Sequence, residues 1–271
     1  MSNPDAILDR PTPLLRWGDA LLKLEMFRPS GSCAGRAAQA WDWRGAGAAV
    51  IEASGNEAIA AAAWARYSGV QIAIVPRGVF THEMREILKL WGVQVGPQRQ
   101  PTLPPLDSDA AAAIFARSLG AELLADLTVA PPLLVAPAGD RAALLGALSA
   151  LRERWRDVRG VALVAADEEL PDLPRHASLP DSVERVQVTR AQAAEARSRV
   201  ARELGLLAGH AGAAAAVHAN QHGGVALVTS PGEREFSLDR PSRRRPCCWE
   251  RVVSTVRPRW RCTRARCRCG W

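Results

Sequence analysis

The chain has 271 residues, 48% of them hydrophobic, with 35 Lys or Arg against 28 Asp or Glu and a formal charge of +7. That is long and apolar enough to bury a sizeable core in one domain or two closely associated ones, which excludes a chain disordered throughout. No apolar run reaches the roughly 18 to 20 residues of a membrane span, and no basic segment leading into an apolar run opens the chain, so a cytoplasmic location without membrane attachment is expected.

The elements follow in chain order. Pro11 and Pro13 bracket Thr12 and exclude a helix there, so residues 9–17 read as a turn entering a short strand. Leu21–Glu25 is a second strand, Pro29-Ser30-Gly31-Ser32 a turn, and an Ala-rich helix starts at Arg36 and runs towards Trp43. Ala48–Glu52 is a buried-type strand. Ser54 and Glu57 have the spacing of a capping box and open a helix through Tyr67. Strands at Val70–Pro76 and Val93–Val95 flank a helix at Thr81–Trp91. After a Pro-rich loop from Pro97 to Asp107, Ala110–Leu127 is helical with a break at Gly120. The strand Pro132–Pro137 runs through Ala138–Arg141 into a helix at Ala142–Trp155. Val161–Ala165 and Val183–Val188 are strands separated by an irregular Pro171–Pro180 segment. Thr189 caps a helix at Arg190–Leu204, a second Ala-rich helix begins near Gly212, and Gly224–Thr229 is the last strand. Strands and helices alternating at this spacing predict an α/β fold with a mostly parallel sheet covered on both faces.

Several short motifs occur in order along residues 11–239. They are Pro11-Thr12-Pro13-Leu14, Lys23-Leu24-Glu25 before Pro29-Ser30-Gly31-Ser32, Ala53-Ser54-Gly55-Asn56 at a helix start, the Val75-Pro76 strand end, Glu83–Gly92, and Gly205–Gly209 before Gly212-Ala213-Ala214. Together they resemble the fold type II pyridoxal-phosphate enzymes, the family of tryptophan synthase beta chain, cysteine synthase, threonine synthase and threonine dehydratase. The resemblance implies two open, mostly parallel sheets flanked by helices, with a smaller lobe of about residues 38–115 inserted in a larger one. It also implies pyridoxal phosphate as cofactor, an amino acid or another small anion as ligand, and a homodimer as the assembly.

In that family a lysine lies between the Gly-Ser turn and the Arg now at Arg36. Its amine forms the imine with the cofactor and then moves the proton. Here that position is Ala34, beside Cys33 and Gly35, and a methyl group does neither task. The only lysines are Lys23, in the Lys-Leu-Glu strand, and Lys89, in a distant helix, so no catalytic residue is assigned. The phosphate turn, glycine-rich in the family, is Pro137-Ala138-Gly139-Asp140-Arg141. Asp140 opposes a dianion, and Arg141 is placed to offset it. The contact to the pyridine nitrogen falls near Gly209–Gly212, where His210 is the polar residue and no hydroxyl is present. The resemblance thus assigns cofactor contacts to Asn56, Gly139, Arg141 and His210, and substrate carboxylate contacts to Ser54, Gly55 and Asn56. Glu57 stands where the family has a small hydroxyl residue. A chain unable to carry out imine chemistry is one expectation. A noncovalently loaded lyase or transferase acting on serine-, threonine- or cysteine-type amino acids is the other. His218 and His222, four apart, offer two metal ligands without a third in view.

From Arg240 to Trp271 the composition changes abruptly to Arg, Cys, Pro and Trp. This tail has 11 Arg against Glu250 alone and therefore carries +10, leaving −3 on the residues before it. Trp249, Trp260 and Trp271 among the arginines form a pattern for stacking on single-stranded nucleic acid. Cys247, Cys248, Cys262, Cys267 and Cys269 lack the paired spacing of common zinc sites. The expectation is a segment outside the fold, of the composition a shifted reading frame produces, with neither a nucleic-acid partner nor a metal.

Overall fold

A computed structural model describes residues 10–43, 47–96 and 100–239, together with the backbone of Trp249–Val252 and Arg259–Cys262. Strands β1 (Leu14–Trp17) and β2 (Ala20–Lys23) form an antiparallel pair around Gly18, whose φ of +57° suits the tight connection. Helix α1 (Ala34–Ala40) leads to β3 (Ala48–Ala53), α2 (Gly55–Tyr67), β4 (Gln71–Pro76), α3 (His82–Leu90) and β5 (Gln94–Val95). Strands β3, β4 and β5 make a three-stranded parallel sheet.

Helix α4 (Asp109–Phe115) runs through a π-helical turn at Ala116–Gly120 into α5 (Ala121–Asp126). Then come β6 (Leu133–Pro137), α6 (Arg141–Arg154), β7 (Arg159–Ala165), β8 (Val183–Val188), α7 (Arg190–Leu204), α8 (His210–His222) and β9 (Gly224–Leu227). The larger sheet has the order β1-β2-β9-β6-β7-β8, parallel except for β1. Every residue of β6 and β9 is buried, as continuous apolar runs covered by helices on both faces must be. The architecture is therefore the α/β arrangement of two mostly parallel sheets that the alternation predicts.

Three boundaries differ from the sequence reading. Helix α1 starts at Ala34, two residues early, because Gly31 (φ +72°) completes the turn and Cys33 already has helical angles. Gly120 does not break its helix. A Cβ there would lie 2.5 Å from that of Ala150, so the glycine serves the close approach of α6. Helix α8 starts at His210, and Gly212 lies inside it because the carbonyl of Thr229 leaves no room for a side chain.

The chain divides into two units, Met1–Ser237 and Leu238–Trp271. A short helix, α9 (Phe236–Asp239), spans the boundary. Strands β10 (Trp249–Val252) and β11 (Arg259–Cys262) of the second unit pair antiparallel, with Trp249 opposite Cys262 and Arg251 opposite Trp260. Cys247, Cys248, Cys267, Cys269 and Trp271 lie outside the described residues. Among the described residues no helix is long and apolar enough to cross a membrane.

Candidate functional site

Parallel strands leave their carboxyl ends free to build a site, and here those ends converge with two helix starts. The turn after β6 carries Ala138, Gly139 and Asp140. The chain after β9 carries Thr229 and Ser230, α1 begins at Ala34, and α2 begins after Ser54. All but Gly139 and Ser54 are buried.

Neither lysine reaches this place. Lys23 is fully buried in β2, and its amine donates to the Thr12 carbonyl and to Asp126, each at 2.9 Å, with Glu122 also at 2.9 Å. Arg36, one helical turn into α1, holds the same network from the other side, clasping Glu25 through two bonds of 2.8 Å and reaching Glu122 at 2.7 Å. Lys89 is exposed on α3 and pairs with Glu86. Ala34 itself faces Glu57, Asp107 and Asp140 across a small cavity.

The turn after β6 packs against another part of the chain. Gly139 lies against the backbone of the Leu170–Pro174 segment. Its amide donates to the Asp172 carbonyl at 2.9 Å, and a Cβ at Gly139 would meet the Asp172 Cα at 2.6 Å. Asp140 points inward, accepting from the Cys33 thiol at 2.9 Å and the Thr229 hydroxyl at 2.8 Å. Burial raises the pKa of Asp140 to about 6 and that of Asp172 well above the carboxylate range, the second acid also feeling the first. Burial and Asp140 likewise raise the Cys33 thiol, which leaves it a small neutral core residue rather than a nucleophile. Arg141 does not offset Asp140. Its guanidinium reaches the carbonyl of Ser178 at 2.6 Å and Asp109 at 2.8 Å, on the wall of the cleft.

Asn56 is placed where the resemblance puts it, in the first turn of α2, but its amide is already engaged. It donates to Asp172 and accepts from Arg234 Nη1 at 3.0 Å, with the Ser230 hydroxyl 3.5 Å away. Arg234 Nη2 continues to the Ser30 carbonyl at 2.7 Å, spanning the space between the Gly31 turn and Asn56. Burial lowers its pKa to about 10. His210 is buried against Glu235, which takes its backbone amide at 2.8 Å and lies 2.6 Å from Nδ1. The histidine is therefore a packed residue at a helix start.

No hydroxyl residue stands within Gly209–Gly212, but two lie beside it in the fold. The Gly209 amide donates to the Ser230 carbonyl, and Thr229 abuts Gly212. Both hydroxyl residues arrive from the chain after β9, 20 residues downstream, and only the sheet topology brings them there.

At the start of α2 the Glu57 carboxylate takes the Ser54 amide at 2.7 Å, half of the expected capping box, and takes Arg77 at 2.8 Å with the same oxygen. Of Ser54 and Gly55, one borders a cleft and the other does not. Ser54 lines it beside Arg77, Asp107, Gly139 and Asp172, whereas Gly55 packs under Met84. The cleft has a volume of about 630 Å³, within the range of small-molecule sites. Burial, then the Glu57 charge, raise the pKa of Asp107 on its wall to about 7. The His218 and His222 rings stack 4.5 Å apart on α8, and among the described residues no three His, Cys, Asp or Glu side chains are grouped to hold a metal.

No family model matches the sequence, and no curated protein matches it. Solved structures do. An O-acetylserine-dependent cystathionine beta-synthase from Helicobacter pylori superposes with a TM-score of 0.68 at 18% identity, over 85% of this chain and 95% of the other. A lysine-to-alanine mutant of O-ureido-L-serine synthase, bound to O-ureido-L-serine, gives 0.69 at 23%, over 85% and 91%. A hydrogen sulfide-producing enzyme from Fusobacterium nucleatum gives 0.72 at 16%, over 87% and 100%. At these identities the likeness concerns the fold, which is that of the fold type II pyridoxal-phosphate enzymes.

Proposed function

We propose that this chain is a fold type II protein that does not perform imine chemistry and uses the inherited cleft to bind a small ligand. The observation that carries the reading is the pairing of Ala34 at the anchor position with a cofactor place already filled by this chain's own groups. A cofactor aldehyde needs an amine, and both lysines are held elsewhere. A cofactor phosphate needs bare amides and positive charge, and it would meet the Asp172 backbone at Gly139 and the Asp140 carboxyl behind it. The ring-facing amide of Asn56 is taken by Asp172 and Arg234. The residues present do not fit pyridoxal phosphate, and no step of chemistry is derived through it.

The cleft at the start of α2 remains open beside this filled interior. One solved relative of the same fold holds O-ureido-L-serine although one of its lysines is replaced by alanine. That supports ligand binding without a lysine in this architecture. The test is purification with excess pyridoxal phosphate, followed by a visible spectrum and borohydride reduction. The expected outcome is no imine band and no cofactor fixed to the chain. A stable band mapping to Lys23 or Lys89 would overturn the proposal and favour a working lyase or transferase.

A further inference from the structure

Beneath Ala34 lies a chamber of about 10 Å³, room for one species the size of a water molecule. Its wall includes Cys33, Ala34, Glu57, Asp107, Gly139 and Asp140, and no Lys, Arg or His takes part in it. Three carboxyl groups therefore border one small space without a cation in its lining. Glu57 is 5% exposed, and its two oxygens are unequal. Oε2 takes the Ser54 amide and Arg77, whereas Oε1 is buried with no hydrogen-bond partner. A buried carboxylate oxygen without a donor forfeits the full cost of its desolvation, so a donor that fits the chamber gains that energy back. Asp107 and Gly139 line both the chamber and the 630 Å³ cleft, which places the two spaces side by side.

We propose that the chamber binds the protonated head of a primary amine, its ammonium against Glu57 Oε1 with Asp107 and Asp140 as further acceptors, and the rest of the ligand in the cleft. An ammonium group is close to water in size and carries three N–H donors, matching three carboxyl acceptors. Asp107 accepts from the Ala142 amide, and Asp140 from Cys33 and Thr229, but carboxylate oxygens have lone pairs to spare. Burial and then the Glu57 charge raise the pKa of Asp107, and an ammonium in the chamber would lower it. The site deepens the proposed function by naming its ligand class, and it rests on the absence of an imine at position 34. The two fail differently, since an imine band removes both whereas a missing amine response removes only this one.

The experiment is thermal melting of the full chain in methylammonium and in putrescine, with sodium and tetramethylammonium at equal ionic strength as controls. Tetramethylammonium has the charge but neither the N–H donors nor the size. The expected result is a rise of a few degrees with both amines and none with the controls, together with a roughly tenfold or greater loss of amine affinity, by calorimetric titration, in Glu57→Gln. Because that change also disturbs Arg77, a second pair tests the chamber directly. Ala34→Lys places a tethered ammonium in it and should raise the melting temperature above that of Ala34→Met while abolishing the methylammonium response. An equal response to tetramethylammonium, or no advantage of Ala34→Lys over Ala34→Met, would overturn the assignment and leave a water in the chamber.

Discussion

At the scale of single residues, Ala34 is surrounded by acids. Ala34 faces Glu57, Asp107 and Asp140, while Gly139 and Asn56 are occupied by Asp172 and Arg234. Restoring Ala34→Lys in the presence of pyridoxal phosphate should therefore yield neither a stable imine band nor turnover, and a spectrum with an assay on serine-type substrates checks both. The buried acids also set a pH dependence. The Asp107 and Asp140 values, raised to about 7 and about 6 from the ordinary 3.8, mean that the folded chain keeps protons the unfolded chain has lost. Stability from these two acids is thus fully present below about pH 4 and declines as pH rises towards 7. For Asp107 alone the decline has a ceiling on the order of 4 kcal/mol, at about 1.4 kcal/mol for each pH unit. Asp107→Asn keeps the acceptor for the Ala142 amide and removes the ionisation. It should melt close to the parent at pH 4 and above it at pH 8. Glu122 acts in the opposite sense. Burial would raise it, but Arg36 and Lys23 hold it down at about 2, so its contribution is lost only as the solution becomes strongly acid.

At the scale of elements, two contacts decide how the helices seat around the cleft. Arg36 ties α1 to Glu25 and to Glu122 on α5, and removing it leaves the buried Glu25 without its cation, while Glu122 keeps Lys23. Arg36→Ala should cost about 3–5 kcal/mol in urea unfolding. Arg36→Lys should recover only part of this, because an ammonium cannot fork onto Glu25 and reach Glu122 at once. Helix α6 approaches α4 at Gly146, where a Cβ would lie 2.2 Å from the Ala112 carbonyl and 2.7 Å from the Phe115 Cβ. Gly146→Ala should destabilise by about 1–3 kcal/mol despite the better helix propensity of alanine, which a denaturant melt reads directly. Nothing local in Arg141–Arg154 marks this glycine, since the constraint comes from another helix. The Thr189 cap was legible because Thr189 and Gln192 satisfy each other within one turn.

At the scale of the whole molecule, charge separates along the chain. The formal −3 before Arg240 and +10 after it predict that the full chain is retained on a cation exchanger at neutral pH, whereas a chain ending at Asp239 flows through. Equal retention of the two would show that the charge of the body is not what the formal count implies. The sequence by itself determined the element order, the parallel α/β class, the resemblance to fold type II enzymes and the alanine at position 34, because periodicity, caps and a residue's identity are local properties. Only the tertiary structure decided which groups meet beside the cleft. It turned Arg141 to Ser178 and Asp109, brought Ser230 and Thr229 to the Gly209–Gly212 helix start, packed Gly139 against Asp172, and left Glu57 Oε1 buried without a hydrogen-bond partner. Each of these joins groups about 17 to 37 residues apart, or depends on which way a side chain turns once burial has removed water as its alternative partner.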